Sequence, residues 1–185
     1  MIRMHGRVRA EGHWRMRVVR ARGWAPAEAR AEVDARPSLV LAEHESDQII
    51  TNNGKAAIVN ALALVLNAGV AAANNQQLGG TFAPVYGALG SGTGTPNVAD
   101  FKLGAELPAG RVQPFATAGG AGVWVWEFFF GAQPQGNVNE MGCFIQGTAV
   151  TDTGTLLDRS LVNGGIAKTA DVNVLLAFQI TLLGI

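Results

Sequence analysis

Between positions 172 and 183 the chain reads VNVLLAFQITLL. Every even-numbered residue there (Val172, Val174, Leu176, Phe178, Ile180 and Leu182) is apolar, while the odd positions include Asn173, Gln179 and Thr181. Only an extended chain sends alternate side chains to opposite faces, so a run this long predicts a β-strand with one fully buried face. That face needs a second layer to cover it. The stretch VWVWEFFF, 123–130, supplies Trp124, Trp126, Phe128 and Phe130 on one parity and Val123, Val125, Glu127 and Phe129 on the other, so both of its faces are expected to be largely covered. Shorter strands are read in VYGALGSG, VNEMGCFIQ and TLLDRSLV, separated by the Gly, Asn and Pro clusters that make turns. Several strands at short spacing with one early helix predict a mainly β chain, an antiparallel β-sandwich or jelly-roll-like domain.

The helix is expected from Gly54 to about Asn67, preceded by TNNGK, in which Thr51 or Asn52 can cap its first turn. The apolar run Ala56–Ala73 is as long as a membrane span, but Asn60, Asn67 and Gly69 interrupt it, so a buried helix is expected and no membrane segment. Met1–Trp14 is studded with arginine and lacks the apolar stretch of a secretory signal. The single Cys143 excludes an internal disulfide framework and a cysteine-based zinc site.

Net charge is zero, but it is polarised. Residues 1–36 hold nine arginines against four acids, while the remainder has five basic and ten acidic residues. Met4, Val8 and Ala10 share parity with Trp14, Met16 and Val18, which is read as an N-terminal β-hairpin turning at Glu11-Gly12-His13. That register sets Arg9 opposite Arg15 and Arg7 opposite Arg17. Like charges directly opposite destabilise a sheet, so this face is expected either to be solvated or to meet an acidic or carbonyl-rich partner. Residues 1–47 are therefore read as an arginine-rich arm with a linker or short helix at 22–38, docking onto another subunit through Arg7, Arg9, Arg15 and Arg17. Residues 48–185 are read as the β-sandwich domain. Packaged nucleic acid is the less favoured partner for this arm.

The run Gly-Ser-Gly-Thr-Gly-Thr at 90–95 invites a ligand-binding reading, which its surroundings do not support. A phosphate-binding loop needs Lys followed by Ser or Thr after the last glycine, but Gly94 is followed by Thr95-Pro96. The spacing of Gly90, Gly92 and Gly94 also fails the dinucleotide fingerprint. A turn is expected, with Asn97 or Asp100 starting a helical turn after it. The nucleophile elbow is absent, and His5, His13 and His44 all lie in the first quarter, where neighbouring arginines disfavour a metal. Glu127 is the one carboxylate that could be tuned for hydrolysis, with Glu140 or Asp158 as its partner; otherwise it pairs with Arg111 or Arg159, or points into an interface. The chain is read as non-enzymatic, with no cofactor and no metal.

From Gln48 onward the sequence resembles a group of small virion proteins of tailed bacteriophages. The resemblance is carried by Gly92–Thr95, Pro96, Asp100 and Leu103–Leu107, by QIITNNGKAAIVNAL before them, and by VNEMGCFI, TLLDRSL and IAKTADVNVLLAFQITL after them, in that order. It implies a non-enzymatic β-sandwich protein located in the virion, most consistent with tail, baseplate or fibre attachment, and alternatively with capsid decoration or cement. The low charge content and the apolar faces of 123–130 predict a homo-oligomer, a trimer or higher ring, with Trp124, Trp126, Phe128 and Phe130 in its interface or in the core. A carbohydrate- or receptor-binding module is the alternative of another class, since Trp124 and Trp126 could stack on a host glycan if exposed.

Overall fold

The computed structural model describes residues 9–20, 23–47, 49–67, 82, 85–120 and 123–183. The period-two segments form β-strands in two antiparallel five-stranded sheets, as the alternation requires: a β-sandwich. In chain order the elements are β1 (Arg9–Arg20), α1 (Pro26–Ala35), β2 (Val40–Asp47), β3 (Ile49–Ile50), α2 (Asn52–Asn67), β4 (Val85–Gly90), β5 (Glu106–Val112), β6 (Ala116–Gly120), β7 (Val123–Phe130), β8 (Gly136–Ile145), β9 (Thr155–Lys168) and β10 (Val172–Leu183). The first sheet has the order β2-β1-β10-β7-β6 and the second β3-β9-β8-β4-β5.

The core lies between the sheets. Trp14, Met16 and Val18 of β1, the four even-numbered aromatics of β7, and Val174, Leu176, Phe178, Ile180 and Leu182 of β10 face Leu89, Val138, Met141, Cys143, Ile145, Leu157 and Val162 of the second sheet. Trp14 stacks on Phe178 at 4.5 Å between ring centroids, and Phe178 stacks on Trp126 at 5.7 Å. Each sheet also has a cover on its outer face. Helix α1 buries Ala29 and Val33 against Val19 and Leu175 outside the first sheet. The long β4–β5 connection buries Leu103 against Ala88, Phe144 and Leu156 outside the second.

Helix α2 begins at Asn52, two residues before the expected start, because Thr51 caps it: the Gly54 N–H donates to Thr51 Oγ1 at 2.9 Å, while the Thr51 hydroxyl donates to the Leu156 carbonyl at 2.5 Å. Gly54 lets the helix lie against β9, since a Cβ there would stand 2.2 Å from the Leu157 carbonyl oxygen. No described helix is long and apolar enough to cross a membrane.

The segment 22–38, expected as a linker or short helix, contains the ten-residue helix α1, opened by Pro26 at its first position. One expectation is corrected. The N-terminal hairpin turning at Glu11-Gly12-His13 does not form: residues 9–20 are one unbroken strand, hydrogen-bonded to β10 on one side and β2 on the other. The even-parity pattern of Ala10, Trp14, Met16 and Val18 never breaks, and Gly12 simply takes an inward position opposite Ile180. Trp14 and Met16 are fully buried, so β1 is an interior strand of the core and the boundary at residue 47 cuts through a sheet. Met4, His5 and Arg7 lie outside the described residues.

Candidate functional site

The glycine run is held by a buried ion-pair network contributed by three distant segments. Glu140, on β8, is completely buried and accepts four hydrogen bonds. Its Oε1 takes the N–H groups of Gly92 at 2.9 Å and Ala105 at 2.7 Å; its Oε2 takes the Gly104 N–H at 3.0 Å and Arg159 Nε at 2.7 Å. Arg159, on β9, completes its fork with Asp100 at 2.7 Å and the Gly94 carbonyl at 2.9 Å. Burial alone would lower the Arg159 pKa, but its hydrogen bonds to Asp100 and Glu140 outweigh that effect and hold it above the ordinary value. Asn97 and Asp100 close the turn expected of them: the Asp100 N–H donates to the Asn97 carbonyl at 3.0 Å, and the Asn97 N–H donates to Asp100 Oδ2 at 2.9 Å.

Gly92 is required by close approach, because a Cβ there would lie 2.3 Å from Glu140 Oε1. Gly94 faces open space, and neither glycine has the positive φ that a special turn conformation would need. A second fork lies nearby. Arg111 meets Glu106 in a two-point pair at 2.5 and 2.9 Å, lies over the Phe144 ring at 3.8 Å and donates to the Thr153 carbonyl at 2.6 Å, which fixes the β8–β9 turn. Both networks leave their polar groups saturated, an arrangement that fixes loops in place.

The arginine face is also assembled within the chain. Arg15 stands opposite Glu45 and Arg17 opposite Glu43 on β2, so the like-charge register inferred from the sequence is replaced by opposite-charge cross-strand pairs. Arg15 Nε reaches Glu45 at 2.6 Å; Arg17 reaches Glu43 at 3.2 Å and Asp34 of α1 at 2.6 Å. Arg9 pairs in register with Leu183, not with Arg15. Arg30 of α1 binds Glu127 at 2.5 Å, so neither Arg111 nor Arg159 is the partner of Glu127. Arg15, Arg17, Arg30, Asp34 and Glu127 line a groove of ≈ 210 Å³ between α1 and the first sheet, floored by Phe115, Leu175 and Ala177. Across the ion-pair cluster three guanidinium groups (Arg15, Arg17 and Arg30) meet four carboxylates (Asp34, Glu43, Glu45 and Glu127), which leaves it no surplus positive charge to attract a polyanion.

Trp124, Trp126, Phe128 and Phe130 are at most 6% exposed and belong to the core, so the indoles are not placed to stack on a sugar. Glu127 lies on the opposite face of β7 and pairs with Arg30, whereas Glu140 and Asp158 are engaged by Arg159 and Trp14, so neither is brought to it as the expected second carboxylate. His13 and His44 differ in parity within the β1–β2 ladder and so project from opposite faces of the sheet; His5 lies outside the described residues. Among the described residues no group of three His, Cys, Asp or Glu side chains could hold a metal ion.

Two buried groups have roles that the sequence reading did not give them: Asp158, considered only as a partner of Glu127, and Lys168, not singled out. Asp158 faces the core and accepts the Trp14 indole N–H at 2.5 Å through Oδ1, while Oδ2 has no hydrogen-bond partner. Burial pushes its pKa well up against the opposing pull of that bond, and it raises the neighbouring Cys143 thiol as well. Lys168 donates to the carbonyls of Gly131 at 2.5 Å and Val172 at 3.0 Å, and burial lowers its pKa to about 8. The signal for both was an ionisable residue inside an apolar run, Asp158 beside Arg159 in LLDRSLV and Lys168 in GIAKTA. Compared with family models, with curated proteins and with solved structures, the chain matches none.

Proposed function

We propose that the chain is a non-enzymatic structural subunit of a tailed-bacteriophage virion, working in the tail, baseplate or fibre-attachment region and joined to other virion subunits through its surfaces. The observation that supports this reading is where the buried charges go. The three motifs of the phage resemblance around Asp100, Glu140 and Arg159 lie 40 and 19 residues apart in sequence, yet they meet in one network, five of whose six bonds hold the 91–105 loop. Groups that an enzyme would keep available for substrate are here spent on rigidity, the property an assembly subunit needs at its contact surfaces.

The test is quantitative peptide mass spectrometry on density-banded particles of the phage that encodes the chain, with tails and heads separated. A fixed copy number in the tail fraction is expected. Recovery in heads alone would shift the assignment to capsid decoration. Presence in the infected-cell lysate but absence from banded particles would overturn the proposal.

A further inference from the structure

The four sheet edges are not alike. An edge strand exposes unpaired N–H and C=O groups, and proteins ordinarily blunt such edges with shortness, charge, proline or a bulge. β3 is only two residues long. β5 carries Pro108 and Ala109, the latter at φ 53°, and its register with β4 shifts between Ala88 and Gly90. β2 carries Glu43 and Glu45, and its ladder with β1 is broken between Val18 and Val19. β6, ATAGG, is five residues long but has neither charge nor proline nor bulge: it is regularly paired to β7 along its length and exposes Thr117, Ala118 and Gly119.

We propose that β6 is a self-association edge, on which β6 of a second copy of this chain adds antiparallel to make one continuous sheet across a two-fold axis. The occupant follows from the same comparison. An added strand must itself present a free edge, and of the four described edges only that of β6 is longer than two residues and free of charge, proline and any break in register. Antiparallel pairing of a strand with itself is self-complementary and closes at two, which makes the unit a dimer and not the trimer or ring expected from composition. The small side chains of Ala116, Thr117, Ala118, Gly119 and Gly120 pose no steric or charge conflict when two copies meet. A net charge of zero with only 15% charged residues also leaves little long-range repulsion to keep copies apart. This pairing rests on edge geometry, independently of the virion reading.

In a register centred on Ala118, the two Ala118 residues stand opposite each other. The test is sedimentation of the full chain over a concentration series, alongside A118K, A118E and their equimolar mixture. A five-residue ladder buries far less than the roughly 1,200–2,000 Å² of stable complexes, so the wild type should move toward twice the monomer mass only between about 10 µM and 1 mM. A118K and A118E should each remain monomeric, because like charges then face one another. Their mixture should recover the heavier species. A wild-type chain that stays monomeric through about 1 mM overturns the proposal whatever the variants do. So does self-association of A118K equal to that of the wild type.

Discussion

Replacing Glu140 with Gln should remove much of the stability of the fold while barely changing its shape. The carboxylate accepts from Gly92, Gly104, Ala105 and Arg159, and all four bonds are 2.7–3.0 Å long. An amide keeps one acceptor oxygen and turns the other into a donor. Whichever way it is placed, two buried donors lose their acceptor and the new N–H₂ points at them. Each orphaned buried donor costs about 1–3 kcal/mol, and breaking a buried ion pair from one side typically costs about 3–5 kcal/mol. The expected loss is therefore about 3–5 kcal/mol, out of a total that is usually about 5–15 kcal/mol. For a chain of this length that lowers Tm by roughly 6–20 °C. Urea and thermal unfolding, followed by tryptophan fluorescence, give the number. Glu127→Gln is the control, because its partner Arg30 has a side chain 51% exposed, and such a pair is worth less than about 1 kcal/mol. Removing both charges with E140L and R159M together should not restore stability, unlike many buried ion pairs, because the N–H groups of Gly92, Gly104 and Ala105 would remain without their acceptor. A loss below about 1 kcal/mol for E140Q, or full recovery in the double variant, would refute the reasoning.

Three further outcomes follow from the same structure. Gly92→Val should destabilise the fold, whereas Gly94→Val should change stability by less than about 0.5 kcal/mol, because only the first Cβ meets Glu140; urea midpoints of the two variants check this. Asp158 has a folded pKa raised by burial, so its stabilising contribution is complete below the unfolded carboxyl pKa near 4 and is lost as pH rises toward the folded value. The stability of D158N relative to wild type should thus grow by about 1.4 kcal/mol per pH unit above about pH 4, and a pH-independent difference would contradict it. Deleting residues 1–37 should leave the remainder unfolded by circular dichroism, since Trp14 and Met16 are fully buried and β2 would lose its one partner strand among the described residues; a cooperative melt of the shortened chain would show that the core does not need β1.

The architecture was legible because alternation is a local signal: the runs at 123–130 and 172–183 state in their own residues which side is buried, and both lie in the first sheet with that side inward. The N-terminal strand was misread for the same reason. Parity says which face a residue takes but not whether the chain reverses, and Glu11-Gly12-His13 has the composition of a turn. What decides the matter is the pair of neighbours, β10 and β2, which saturate both edges of β1 and leave no place for a reversal. Those neighbours lie more than 150 residues away on one side and about 30 on the other, where no local pattern reaches.

The charges were harder to place because their meaning depends on what tertiary structure sets beside them. Counting along the chain showed nine arginines in the first 36 residues and an acidic excess afterwards, and both facts are true of the fold. For Arg15 and Arg17 the acid is supplied within the chain, by β2 and α1 at 2.6–3.2 Å. The glycine run shows the converse. Its sequence spacing ruled out the known phosphate and dinucleotide loops, but what the run was for could not be read until Glu140 and Arg159 arrived from the neighbouring strands β8 and β9. In both places an apparent binding signal is answered within the molecule. The surface left for other molecules is then best sought where the chain has unspent hydrogen-bonding capacity, and the unblunted edge of β6 is such a place.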